Sequence, residues 1–167
     1  MKPIVKIGIA AALAAAIGTI VLVGNSAQAE APAVQYTSIK GQQTSQAALK
    51  GKVVLVNFWA TSCTGCMAEM PKLVDTHRKY AKQGFETVAV AMSYDPPNYV
   101  AAYTEKAQLP FFVALDVDGG IARRFGEVQL TPTTFLIDKH GRIVQRYLGE
   151  PDFNQLHALI EEKLKEA

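Results

Sequence analysis

The sequence predicts an α/β domain built on a mixed central sheet, and three features predict it. Val53-Val54-Leu55-Val56-Asn57-Phe58-Trp59 is apolar almost without alternation, which suits a central strand covered on both faces. A helical stretch from Thr64 to Lys82 and a second apolar run, Thr87–Met92, follow it. Strand, helix and strand within about forty residues form a βαβ unit, so these two strands are parallel. Later, Thr133–Ile137 and Arg142–Leu148 are joined by Asp138-Lys139-His140-Gly141. Four turn-forming residues between two apolar runs make an antiparallel hairpin, and the sheet is therefore mixed.

In chain order, residues 1–29 read as an export segment. Lys2 and Lys6 form a basic flank, Ile7–Val23 is uncharged and apolar, and Ala27-Gln28-Ala29 supplies the small residues of a cleavage site. A run of about 17 apolar residues is also at the lower limit for crossing a bilayer, so cleaved signal and retained anchor both stand. The remaining domain spans 30–167. Its first part, 30–46, is a polar lead-in with at most a short edge strand near Tyr36–Ile39. The long helix carries Met67, Met70, Val74, His77 and Ala81 on one stripe, and Gly84 ends it. Asp95-Pro96-Pro97 punctuates before a helix over Asn98–Ala107, since proline is tolerated in a first turn. Phe111–Leu115 is a short strand, and Asp118-Gly119-Gly120 turns into a short helix ending near Phe125-Gly126. Asp152 caps a final helix with Phe153, Leu156, Leu159, Ile160 and Leu164 facing the core.

Composition narrows the function. The chain has 167 residues, 49% hydrophobic and 19% charged, with two cysteines. That excludes a disordered chain, a multi-span membrane protein and a disulfide-rich scaffold. Of the 17 basic residues, Lys2 and Lys6 lie in the export segment, so the domain balances 15 against 15 acidic ones. Nucleic acid is not an expected partner of so neutral a domain. A monomer is expected.

Both cysteines fall where the first central strand gives way to the long helix, in Cys63-Thr64-Gly65-Cys66. Unpaired N–H groups and the positive end of the macrodipole at a helix N-terminus stabilise a thiolate. Cys63, at the exposed edge, is the candidate nucleophile. Cys66, one turn inside, is placed to resolve a mixed disulfide. A structural disulfide closing so short a loop removes little unfolded-chain entropy. A metal site needs further ligands, and His77, His140 and His157 show no paired spacing, so no metal is expected.

Val56-Asn57-Phe58-Trp59-Ala60, Cys63-Thr64-Gly65-Cys66, Glu69-Met70-Pro71 and Thr131-Pro132-Thr133-Thr134-Phe135-Leu136-Ile137-Asp138 together resemble the thioredoxin superfamily. More narrowly they resemble its exported TlpA/ResA-like thiol–disulfide oxidoreductases, which include reductases of apocytochrome c. The likeness runs from about Lys40 to the C-terminus. It implies a three-layer thioredoxin fold with an inserted helix and strand, matching 97–107 and 111–115. It also implies a redox-active Cys63–Cys66 disulfide with no other cofactor.

The resemblance extends to residues around the sulfurs. Pro132 matches the family's cis-proline beside the disulfide, although X-Pro bonds at large are cis in only ~5% of cases. A cis bond there leaves the backbone of Thr131 free to pair with an extended substrate segment. Glu69, three residues after Cys66, matches a functional acidic position. A carboxylate so placed raises thiol proton affinity and can exchange a proton, while the plain alternative is a charge complementing the helix N-terminus. Trp59 packs on the active-site loop and is a candidate for the substrate site, with core packing an equal explanation. Asn57 reads as a satisfied amide in the sheet, His77 as a core histidine, and Pro71 as a kink in the helix. Thr64-Gly65 departs from the frequent x-Pro version of the motif, which leaves the reduction potential open.

The resemblance, together with the export segment, implies an exported reductase of protein disulfides. Its partners are disulfide-bearing exported substrates and a membrane thiol donor, and its place is the periplasm or the outer face of the cytoplasmic membrane. The rivals are an oxidant that introduces disulfides, a peroxidase and a metal-binding chaperone module. The peroxidase pattern P-x-x-x-T-x-x-C is broken by Val56 and Ala60.

Overall fold

A computed structural model describes residues 29–166. Apart from Ala29, the expected export segment lies outside the described residues. Among them, no helix is long and apolar enough to cross a membrane.

The strands are β1 (Gln35–Thr37), β2 (Gln43–Ser45), β3 (Val53–Trp59), β4 (Phe85–Ala91), β5 (Phe112–Leu115), β6 (Thr133–Ile137) and β7 (Ile143–Leu148). The helices are α1 (Thr64–Tyr80), α2 (Pro97–Lys106), α3 (Gly120–Arg124) and α4 (Phe153–Lys165). Five strands form one sheet in the order β5-β4-β3-β6-β7. β3 runs parallel to β4 and antiparallel to β6, and β6 pairs antiparallel with β7. The βαβ unit, the hairpin and the inserted α2–β5 pair stand where the residue pattern placed them.

β3 is central, and every one of its residues is buried. That is why its sequence lacks alternation: both faces meet other layers. One face packs against α1, α2 and α4 through Leu55, Trp59, Met70, Leu73, Tyr80, Val100, Leu156 and Ile160. The other packs Val54, Val56 and Phe58 against β4, α3 and the N-terminal segment. The result is three layers.

Several details differ from the pattern-based reading. The lead-in is a two-stranded antiparallel sheet, with Tyr36 opposite Thr44. Tyr36 is fully buried and donates from its hydroxyl to Gln46 at 2.9 Å, which gives a polar segment its one deep anchor. Beyond β1, Ser38 bridges Ala114 and the Ile39 N–H reaches the Val113 carbonyl, so this segment covers the β5 edge. α1 stops at Tyr80, and a 3-10 turn, Ala81–Gln83, carries the chain to Gly84 at φ 93°, a left-handed conformation that suits glycine. Its buried stripe is Cys66, Glu69, Met70, Leu73, Val74, Thr76, His77 and Tyr80. Met67 and Ala81 are only half-buried. The stripe is rotated because α1 is covered by α4 as well as by the sheet. Thr76 and His157 bond across that contact at 2.9 Å, and Tyr80 donates to Glu161 at 2.6 Å.

Candidate active site

β3 delivers the chain to the C-terminal end of the sheet, and four residues separate Trp59, its last, from Thr64, the first of α1. Cys63 is the N-cap of α1, with extended backbone (φ −88°, ψ 106°), and its Sγ accepts from the Cys66 N–H at 3.1 Å. The amide that caps this sulfur in the disulfide is therefore already aimed at the thiolate that reduction would produce. Cys63 and Cys66 are disulfide-bonded, with Cα atoms 5.2 Å apart. Cys63 is half-buried, whereas Cys66 is fully buried. No acidic residue occupies the first turn of α1, so nothing there offsets the positive end of the helix.

The Thr131–Pro132 bond is cis. Gly65 brings the two loops together: a Cβ built on it lies 3.5 Å from Pro132 Cδ, so the proline ring sits against the turn between the sulfurs. Thr131 is half-buried and Pro132 buried. The carbonyl of Pro132 is taken by the Gly149 N–H at 2.8 Å. Thr133 ties back to the Leu130 carbonyl at 2.7 Å.

A third loop, 93–96, touches both. Buried Asp95 accepts from the Thr61 N–H and from the Thr61 hydroxyl, each at 2.6 Å, which fixes the approach to Cys63. Exposed Tyr94 bonds its hydroxyl to that of Thr131 at 3.3 Å. Asp95 looked like simple punctuation in the sequence. The missed signal was a carboxylate next to two prolines at the active end of β4.

Glu69 is fully buried about one turn of α1 beyond Cys66, not a surface charge at the helix start. Its Oε1 accepts from Asn57 Nδ2 at 2.8 Å, and the same nitrogen donates to Thr134 Oγ1 at 2.9 Å. Burial pushes the Glu69 carboxyl up to about 7; the Asn57 bond opposes this, Glu150 adds to it and Lys72 subtracts from it. Asn57 is not the satisfied amide expected, because its Oδ1 has no partner, and neither does Glu69 Oε2. Thr134 was not singled out in the sequence. It sits opposite Asn57 in the β3–β6 register.

Trp59 is corrected as a substrate contact. It is 0% exposed and packs its ring 5.5 Å from that of Tyr103, so it supports the site from below. His77 is a core histidine bonded to Thr87 and packed on Phe111, as its stripe position implied. The Asp116–Gly119 turn is a cap, with Asp116 accepting from Ile121 and Ala122 N–H groups at 2.9 Å.

Residues 25–160 match the family model described as Redoxin. Over 131 residues the chain is 36% identical to the thiol–disulfide oxidoreductase ResA of Bacillus thuringiensis subsp. konkukian (strain 97-27), spanning 78% of this chain and 75% of that protein. A solved thioredoxin-type protein from Neisseria meningitidis superposes with a TM-score of 0.77 at 40% identity, over 83% of this chain and 93% of that one. A thiol:disulfide interchange protein of the thioredoxin family from Chlorobium tepidum TLS also reaches 0.77, at 26% identity, over 84% and 99%.

Proposed function

The chain belongs to the Redoxin family and is a thiol–disulfide oxidoreductase similar to ResA, and from that premise we propose that it reduces disulfides in exported proteins, apocytochrome c among the candidate substrates. It does so outside the cytoplasm, in the periplasm or on the outer face of the membrane. Residues 1–29 serve as its signal or anchor.

In the reduced enzyme, the Cys63 thiolate attacks one sulfur of the substrate disulfide. A mixed disulfide forms and the first substrate thiolate leaves, taking up a proton. Cys66, as thiolate, then attacks Cys63 Sγ, and the second substrate thiolate departs. Two electrons have moved from the enzyme's sulfurs to the substrate's, the substrate thiolates take up protons from water, and the Cys63–Cys66 disulfide remains. Glu69 accepts the proton that Cys66 must lose inside the fold, a role that suits a carboxyl poised near neutrality. The backbone of Thr131, beside cis Pro132, pairs with the extended substrate segment. A membrane thiol carrier returns the enzyme to its dithiol form.

The observation that carries this reading is the asymmetry of the two sulfurs: one half-exposed at the helix cap, the other sealed one turn inside. Expressing Cys66→Ala in the native host tests it, because attack without resolution traps exported substrates on Cys63. A redox titration against glutathione tests the direction. A potential near the oxidising end of such proteins, about −120 mV, makes the chain an oxidant instead.

A further inference from the structure

We infer that Asn57 is a positioning residue: its amide holds the buried Glu69 carboxyl one helical turn beyond Cys66 and governs that carboxyl's protonation. The inference extends the proposed acid–base role of Glu69. Asn57 is the one polar residue of β3 and is 0% exposed. Residues two apart share a face of a strand, so Asn57 lies between Leu55 and Trp59 in the layer under α1. Nδ2 donates to Glu69 Oε1 on α1 at 2.8 Å and to Thr134 Oγ1 on β6 at 2.9 Å. With both bonds made from one nitrogen, the amide cannot turn without losing its hold on the carboxyl.

The arrangement is expensive as pure structure. Asn57 Oδ1 stays unpartnered in the interior, a cost that a valine or leucine, with no polar side-chain atom of its own, would not carry. What the amide provides is a donor that carries no charge. An aspartate here would put two carboxylates in one site and drive one of them strongly towards protonation. The other groups facing Glu69 do not replace that donor. Lys72, on α1, is ion-paired with Glu150, from the segment after β7, and the two act on Glu69 in opposite senses. Tyr147, opposite Thr134 on β7, is held uncharged by burial, which raises its proton affinity, and it adds no charge near Asn57. Cys63 and Cys66 are joined in the oxidised form. Among the influences that favour the ionised carboxyl, the Asn57 bond ranks first.

The test is a carbon-13 titration of the Glu69 carboxyl in the full oxidised chain, its signal assigned by loss in Glu69→Gln. Asn57→Leu raises the midpoint by about one pH unit, and Asn57→Asp raises it further. Thr134→Val removes one anchor of the amide, moves the midpoint the same way by less, and serves if the Asn57 variants do not fold. An unmoved midpoint in a folded Asn57→Leu or Thr134→Val protein overturns the inference. In the reduced chain, Asn57→Leu shifts the pH profile of Cys63 alkylation only when Glu69 is present. A further shift in the Glu69→Gln background would also overturn it, since the amide would then act on the sulfurs directly. If Glu69→Gln alone leaves that profile unchanged, the proposed role of Glu69 fails, and the carboxyl titration still decides for Asn57.

Discussion

On one face of β3, Val54, Val56 and Phe58 join Val88, Val90, Phe125 and Phe135 in an apolar layer whose Tyr36 hydroxyl is satisfied by Gln46. On the other, Val53, Leu55 and Trp59 share theirs with Asn57, which bonds Glu69 and Thr134. Both faces are fully buried. Among the described residues, the buried side-chain atoms without partners are Asn57 Oδ1, Trp59 Nε1 and Glu69 Oε2, all on the second face or packed against it. The apolar face has instead three phenylalanine rings in mutual contact, with centroids 5.0 to 6.0 Å apart. The difference teaches a division of labour on one strand: one side supplies cohesion, and the other accepts unsatisfied polar groups where the sulfurs need them.

The sharpest way to break that division is at the sulfurs. Cys63→Ser, which removes the attacking atom, abolishes exchange in a dithiol-coupled assay of a protein disulfide while leaving the melting temperature within a few degrees. On the opposite face, Phe58→Ala empties a site packed on two other rings and costs about 3–5 kcal/mol in a urea titration. The exchange rate per folded molecule stays unchanged. If Phe58→Ala instead shifted the pH dependence of exchange, the two faces would not be independent.

Glu69 gives a smaller effect with a definite sign. Its folded proton affinity lies well above the ordinary carboxyl value of 4.5, at about 7. The folded state therefore binds the proton more tightly, and the associated stability is fully present below pH 4.5. It is lost as pH rises through about 7. Urea midpoints measured at pH 5 and pH 8 should fall with pH in the natural chain, and Glu69→Gln should flatten that fall. The smallest effect belongs far from both layers. Asp152 accepts from the N–H groups of Asn154 and Gln155 at the start of α4. Asp152→Ala costs about 1 kcal/mol, read as a lowered melting temperature with unaltered exchange kinetics.

Legibility in the sequence followed the same division. The apolar runs of β3 and β4, the Asp138–Gly141 turn and the Asp152 cap carry their structure in neighbouring residues, and each lies where its pattern put it. β2 did not announce itself, because Gln43-Thr44-Ser45 is polar and owes its pairing to Tyr36 anchored at a distance. The buried face of α1 depended on α4, about eighty residues away along the chain, so Leu73 and Tyr80 went unread while Met67 was overvalued. The cysteines and cis Pro132 were recognised through motifs. The Asn57–Glu69–Thr134 set joins a strand, a helix and another strand, and no local spacing encodes a meeting of that kind. The polar residue inside an otherwise apolar strand was its only trace.

Ala29 accepts from the Ile143 N–H and Ala31 donates to the Gly141 carbonyl, at the turn between β6 and β7 and the first residue of β7. In the β3–β6 register that turn lies beside Val54, at the opposite end of β3 from the strand's exit towards Cys63. Seven strand residues at about 3.3 Å each separate the two poles by roughly 20 Å. Immobilising the chain on a bead or electrode through residues ahead of Ala29 would therefore leave its reactive end pointing into the bulk liquid, free to meet large clients.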